Sequence, residues 1–258
     1  MFRSQEVDRM KLKTLYGSLI VLFAWYLLHY GVRSAVIPSP HATIVNFFQI
    51  FPTVLAPHML VSLYRIVVAI AISLIVGVAI GLWIGVSKRA EELISPIIYI
   101  LYPLPKIAFL PILMILFGLG DTPKIILIII IIIFQIILAA RDGVQEIPRE
   151  LLMSVKSLGL TERQIYRHLL LPAILPQTFT ALRISIGVSI AVLFFGENFA
   201  TSYGIGYFIM NSWIMINYLE MFSGIVALGI MGILLFRCVD YVEAIMCRWV
   251  RIGKSSII

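Results

Sequence analysis

Charge is scarce in this chain. Only 13% of its 258 residues are Asp, Glu, Lys or Arg while 61% are hydrophobic, a balance foreign to soluble domains of this length. Cysteine is nearly missing too. Cys238 and Cys247 have no second pair or nearby histidine to complete a metal site, so they read as two free membrane or interface thiols. His29, His41, His58 and His168 are scattered and make no constellation. No His-Glu-x-x-His, Gly-x-Ser-x-Gly or acidic metal cluster occurs, which leaves an intramembrane hydrolase without support. Gly253-Lys254-Ser255 imitates the end of a phosphate-binding loop. Arg248 stands where that loop needs its first glycine, however, and only three residues follow Ser255, so the run is a basic tail.

What is present is hydrocarbon. Crossing about 30 Å of bilayer core takes roughly 20 apolar residues, and six windows qualify: 14–33, 59–85, 94–118, 123–140, 175–196 and 221–240. The first is too long, and too poorly flanked by small residues, for a cleaved signal peptide, and reads as retained. The predicted fold class is therefore an all-α membrane protein, a single transmembrane domain over residues 1–258 with six helices in the lipid bilayer. Lys and Arg set its orientation. They occupy the N-terminus (Arg3, Arg9, Lys11, Lys13), the 86–93 loop (Lys88, Arg89), the central loop (Arg141, Arg149, Lys156, Arg163, Arg167) and the tail (Arg248, Arg251, Lys254). Residues 34–58, 119–122 and 197–220 carry none. Both termini and the central loop are thus predicted to be cytoplasmic. The net charge of +7 is a topology signal; its dispersal argues against nucleic-acid binding.

Along the chain, polar residues inside apolar runs are the informative ones. Between Pro40 and Pro52 the stretch is too short to span and predicts an interfacial helix with Phe47, Phe48 and Phe51 at headgroup level. Ser73, Gly77, Gly81 and Gly85, four apart, form a ridge of small residues for close helix packing inside the bundle. Arg65 reads as a snorkelling anchor, or else as a charge at a cavity mouth. Pro103, Pro105 and Pro111 interrupt the helix of the third window, which also holds Lys106. An ammonium at mid-membrane costs at least ~2.5 kcal/mol, so it must face a water-filled path, a carboxylate, or carbonyls freed by the prolines. Gln135 can reach into the bundle from a fourth span that is nearly pure isoleucine. Arg183, near the inner end of the fifth, can line a gate or snorkel. Glu197, near its outer end, suits a pairing or helix-end role better than an anion path. Ser202, Tyr203, Gly204, Gly206 and Tyr207 make a glycine-rich outer loop fit for a re-entrant turn or a rim.

Between Ile147 and Pro176, with almost unbroken hydrocarbon on either side, charges of both signs return with helical spacing. Pro148 can open a helix as its first residue. Leu151, Leu152, Val155 and Leu158 then share an apolar face, with Arg149, Glu150 and Lys156 off it. Gly159 allows the chain to turn. Thr161 and Gln164 have capping-box spacing and start a second short helix toward Leu171 and Pro172. A hinged pair of helices outside the bilayer is either a handle for a soluble partner or an amphipathic hairpin resting on headgroups.

Gly159, then nine residues, then Leu169, Leu171 and Pro172 resemble the EAA loop of binding-protein-dependent ABC transporter permeases, the lever between spans 4 and 5 in type I importers. Met153-Ser154-Val155 stands where the family has Glu-Ala-Ala, so a polar contact from that Glu is not matched here. The run LYPLPKIAFLPILMILFGLG, with ALRISIG and GENFATSYGIGYFI, is similar to the nitrate, sulfonate, taurine and bicarbonate branch. The resemblance implies a bacterial inner-membrane importer subunit, not an enzyme, with no cofactor on this chain. ATP and Mg would be held by ABC ATPase subunits on the cytoplasmic face. A second permease copy, expected as a homodimer, would complete the pore, and an extracytoplasmic substrate-binding protein would deliver cargo. Pro148, Leu151, Leu152, Val155, Leu158, Gly159, Thr161, Gln164, Leu171 and Pro172 would couple to the ATPase. Lys106, Gln135, Arg183 and Glu197 are the candidates for the path. A small anion such as a sulfonate, taurine, nitrate or bicarbonate fits those charges, and a heterocyclic vitamin precursor is the alternative within the same branch. A passive channel or ion-coupled carrier is the alternative from another class; paired membrane acids or inverted repeats would mark a carrier, and neither is seen.

Overall fold

The computed structural model describes residues 2–249, with side chains from Tyr16 onward. The basic tail at Arg251 and Lys254, the Gly253-Lys254-Ser255 run, and the side chains of Arg3, Arg9, Lys11 and Lys13 lie outside the described residues. Every regular element among the described residues is helical. Helix α1 (Phe2–Val32) is followed by α2 (Pro40–Ile50), which opens as its sequence dictates: Pro40 sits at the first position and the Ser39 hydroxyl accepts from the Ala42 N–H at 3.2 Å.

The predicted break after α2 does not occur. A π-turn over Phe51–Leu55 carries α2 directly into α3 (Ala56–Val86), so Pro40–Val86 is one helical run of 47 residues. The wider turn, in which the Ala56 N–H reaches back to the Phe51 carbonyl, absorbs the donor that Pro52 lacks. At 1.5 Å per residue the run is about 70 Å long, more than twice the hydrocarbon thickness, so only part of it can lie within the core.

Prolines have the opposite outcome at the third apolar window. Helix α4 (Lys88–Leu101) stops, a 3₁₀ turn occupies Lys106–Phe109, and α5 (Leu110–Phe117) leaves at 84° to α4. Pro103 and Pro105 remove two donors within three residues; Tyr102 still holds helical angles as the cap of α4, whereas Pro105 has left them, at ψ 78°. The third window, 94–118, is therefore a bent pair, interrupted at Pro103 and Pro105, while Pro111 sits in the first turn of α5.

Helix α6 (Asp121–Gln145) is central, packing against α3 on one side and α9 on the other. After α7 (Arg149–Ser157), the short α8 (Glu162–Ile165) passes through a second π-turn, Tyr166–Leu170, into α9 (Leu171–Glu197). Here too a proline, Pro172, follows a π-turn instead of ending the helix, so Glu162–Glu197 is one run. The predicted second short helix is continuous with α9. Helices α10 (Ile205–Ile214) and α11 (Tyr218–Met246) complete the chain. Four of these runs are long and apolar enough to cross a membrane, or five if the bent α4–α5 pair counts as one; Tyr16–Val32 is a shorter apolar stretch. Cys238 and Cys247 are free; Cys247 is buried against Phe179 and Leu182, which pushes its thiol pKa up.

The small-residue ridge explains how closely α3 approaches α6. A Cβ at Gly77 would meet Ile136, one at Gly85 would meet Val144, and one at Gly81 would fall 2.6 Å from both the Ala140 Cβ and the Ile137 carbonyl oxygen. Backbone cannot yield there as a side-chain tip can. Gly81→Leu is expected to force the two helices apart and cost at least the ~1–3 kcal/mol typical of overpacking, read as a lower unfolding midpoint in detergent. Gly187→Leu should change it little, because no atom lies within 4 Å of the place a Cβ would take there.

Candidate translocation and coupling sites

The most heavily constrained polar cluster lies where α3, α6, α9 and α10 meet. Glu197 ends α9 with no exposed surface. Its carboxylate accepts from the Ser62 hydroxyl at 2.7 Å, the Arg65 Nη1 at 2.6 Å and the Gly206 N–H at 2.8 Å. The Arg65 guanidinium, 3% exposed, also donates to the Asp121 Oδ1 from Nε at 2.8 Å and Nη2 at 2.6 Å, and to the Tyr203 carbonyl at 2.9 Å. The start of α10 is held throughout: the Ile205 N–H donates to Ser62, and the Gly204 N–H to the His58 Nδ1 at 3.0 Å. Gly204 is required. Its φ is +145°, and a Cβ would lie 2.4 Å from the Glu197 carboxyl carbon. An acidic side chain at a helix N-terminus also meets the positive end of its dipole.

This cluster corrects one reading and refines another. Arg65 does not snorkel, because two carboxylates and a carbonyl satisfy it inside the protein. Glu197 is enclosed by protein donors in this structure, and its contacts are those of a pairing and helix-capping residue. Sequence reasoning missed two members. Asp121 ends a loop that looked merely uncharged by lysine and arginine. Lys124, 1% exposed, sits in a span read as nearly pure isoleucine, and donates to the Gly120 carbonyl at 2.7 Å. The available signal was Asp121 and Lys124 three apart at the head of an apolar run.

Lys106, Gln135 and Arg183 are not brought together. Gln135 accepts from Ser185 at 2.7 Å, tying α6 to α9. Arg183 pairs with Asp240 at 2.8 Å and with Glu243, which neutralises it against α11. Lys106 begins the 3₁₀ turn at the break, donates to the Tyr102 carbonyl at 2.7 Å, and lies over the rings of Tyr102 and Phe134 at 5.4 and 5.0 Å. A carbonyl freed by the prolines is thus its partner. Among the described residues no carboxylate lies within ion-pair distance of it. Lys106 borders a cavity of about 380 Å³ with Ile131, Val188 and Phe195; Ile107 and Phe195 also line a neighbouring apolar cavity of about 610 Å³. One cation therefore stands over a long greasy groove.

The charged stretch after α6 forms a helix, a turn and a helix. Pro148 is the residue before α7 and not its first, with Arg149 opening the helix. Leu152 and Val155 pack on Ile147, Ile165 and Leu170. The single apolar face predicted for the four residues is divided, since Leu151 is 45% exposed and Leu158, past the last turn, is 77% exposed. Met153, at 61%, joins them. Gly159 has φ +73°, and the Thr161–Gln164 capping box is formed, with the Thr161 N–H donating to the Gln164 Oε1 at 2.8 Å. Leu171 and Pro172 lie in the continuous run into α9. The unit presents three exposed large apolar side chains, two on an otherwise polar, short helix and one just past its end.

An all-helical protein with several membrane-length helices, a broken apolar pair beside a groove and a hinged polar loop has the architecture of a transport subunit. Residues 73–252 match the family described as binding-protein-dependent transport system inner membrane component, and this chain belongs to that family, the permeases of ABC importers. It is 31% identical over 178 residues to the taurine transport system permease protein TauC of Escherichia coli K12, covering 69% of this chain and 65% of that one. It is 29% identical over 240 residues to the nitrate import permease protein NrtB of Synechocystis, covering 88% and 86%. With the putative aliphatic sulfonates transport permease protein SsuC of Bacillus subtilis 168 it shares 27% over 233 residues, covering 89% and 84%. A chain of the MetNI methionine ABC transporter, in a structure of its inward-facing conformations, shares the fold with a TM-score of 0.62 at 20% identity, covering 73% of this chain and 94% of that one.

Proposed function

We propose that this chain is the membrane-spanning subunit of an ATP-driven importer, that separate ATPase subunits seat against residues 147–172, and that an extracytoplasmic binding protein delivers a small anion to its outer face. In this reading six spans cross the membrane with both termini in the cytoplasm, two copies face one another, and ATP-driven closure of the motors moves the α7 lever. The observation that carries it is the exposure of Leu151 and Met153 on a charged helix and of Leu158 at its end, with a left-handed Gly159 behind them. Exposed anchors of that kind on a polar helix suit a partner's groove.

The anion follows from Lys106, whose charge no carboxylate among the described residues offsets. Gln135 and Arg183 then act by holding α6, α9 and α11 in place, and Glu197 by holding the outer end. A heterocyclic cargo is the second reading, favoured by the apolar lining of the groove; the formylaminopyrimidine transport permease protein ThiX of Halalkalibacterium halodurans is 25% identical over 213 residues. Proteoliposomes holding this chain with its neighbouring ATPase and binding protein decide between them. ATP-dependent uptake of taurine, an alkanesulfonate, nitrate or bicarbonate is expected, with Lys106→Met lowering it at least tenfold while ATPase assembly stays intact. Uptake of a neutral pyrimidine that survives Lys106→Met would replace the anion reading.

A further inference from the structure

Where α3 ends and the Glu162–Glu197 run begins, a cavity of about 240 Å³ is lined by Leu82, Arg163, Tyr166, Arg167 and Leu171. Arg163 and Arg167 are exposed, and among the described residues neither makes an ion pair or a side-chain hydrogen bond. They are four apart where α8 becomes the π-turn Tyr166–Leu170. A widened turn keeps residues at that spacing close to one line along the helix, so the two guanidiniums border the same hollow. The remaining walls are two leucines and the ring of Tyr166. Leu82 comes four residues before the end of α3, and the exposed Trp83 follows it, a residue type that settles at the membrane surface.

The chemistry asked for has two parts: an acceptor with several oxygens for two forked donors, and hydrocarbon directly beside it. We propose that this cavity holds the phosphodiester of an anionic phospholipid from the inner leaflet, its acyl chains lying against Leu82 and Leu171. Basic pockets between the inner ends of membrane helices are suited to such headgroups, each cation contributing about 1 kcal/mol near the surface. The proposal rests on the cytoplasmic placement of the central loop, but not on the identity of any cargo or on ATP hydrolysis. Arg163, Tyr166, Arg167 and Leu171 fall within the segment proposed to face the ATPase, but together with Leu82 they make a hollow whose walls belong to two membrane runs. A lipid therefore suits it better than a protein partner.

The purified full-length chain in neutral detergent tests this directly. Phosphatidylglycerol, phosphatidylcholine and inorganic phosphate are titrated separately, with bound copies counted by native mass spectrometry and unfolding followed by heating. Saturable binding of phosphatidylglycerol, with a raised midpoint absent for phosphatidylcholine, is expected. Arg163→Gln and Arg167→Gln should each weaken it about fivefold, the double variant should lose the midpoint shift, and Arg89→Gln, which removes the same charge elsewhere, should change nothing. Equal binding of both lipids, an equal loss in Arg89→Gln, or inorganic phosphate matching the lipid would overturn the proposal. So would double-variant protein that keeps its lipid but no longer co-purifies with the ATPase, since the arginines would then serve the protein contact. Loss of transport in variants with normal lipid binding bears on the permease reading alone.

Discussion

Arg65→Gln is expected to be the most damaging single substitution in this protein, costing about 3–5 kcal/mol. It strips the guanidinium from Glu197, a carboxylate with no access to water, and removes the bridge to Asp121 at the same time. A buried charge left without its partner is penalised far more than the intact pair stabilises. Four helices depend on the arrangement: α3 supplies Ser62 and Arg65, α6 supplies Asp121, α9 supplies Glu197, and α10 begins on their acceptors. Glu197→Gln should be milder, because an amide still accepts from Ser62 and the Gly206 N–H while Arg65 keeps Asp121. The double variant Arg65→Gln/Glu197→Gln should therefore be closer to Glu197→Gln than to the sum of the two. Unfolding midpoints in detergent for the four proteins give the coupling term. Additive losses would mean that the two side chains do not act as a pair.

Leu158→Asp is expected to abolish ATP-driven uptake in a protein that folds normally. The side chain is 77% exposed and follows the last turn of α7, so a charge there costs within about 0.5 kcal/mol of stability. In a partner's apolar groove the same carboxylate is desolvated, and losing one anchor of a hot spot takes about 2–4 kcal/mol, a weakening of thirtyfold or more. Gly159→Pro should block transport by a different route. Proline fixes φ near −65°, whereas Gly159 sits at +73°, so the two arms of the lever cannot keep their angle. Co-purification with the ATPase separates the two effects: Leu158→Asp should lose the partner, and Gly159→Pro should retain part of it while uncoupling hydrolysis from uptake. Normal uptake in both variants would leave the lever without a role.

Local chemistry was the part of this molecule most legible in its sequence. The capping box at Thr161 and Gln164, the turn at Gly159 and the Ser73–Gly85 ridge are written in residues a few positions apart, and each takes the form its spacing requires. Proline was the poor guide. Pro52 and Pro172 each accompany a π-turn within a continuing helix, whereas Pro103 and Pro105 break one; the difference lies in whether one missing donor or two must be absorbed in a short stretch. The charge cluster around Arg65 was illegible for another reason. Arg65, Asp121 and Glu197 lie 56 and 132 positions apart along their two pairings, so an isolated arginine near a helix end looked like a surface anchor. For the same reason Arg183 looked available to an anion, although Asp240 and Glu243 on α11 already hold it.

Site-specific labelling at the lever tests the central claim most directly. In a Cys238→Ser background, Cys247 being buried, Leu158→Cys is treated with a membrane-impermeant maleimide from either face of sealed vesicles of known orientation, with and without the ATPase. Labelling from the cytoplasmic face alone, suppressed when the ATPase is present, is the expected result. Labelling from the outer face, or labelling that the ATPase leaves unchanged, would contradict the placement of this helix as the seat of the motor.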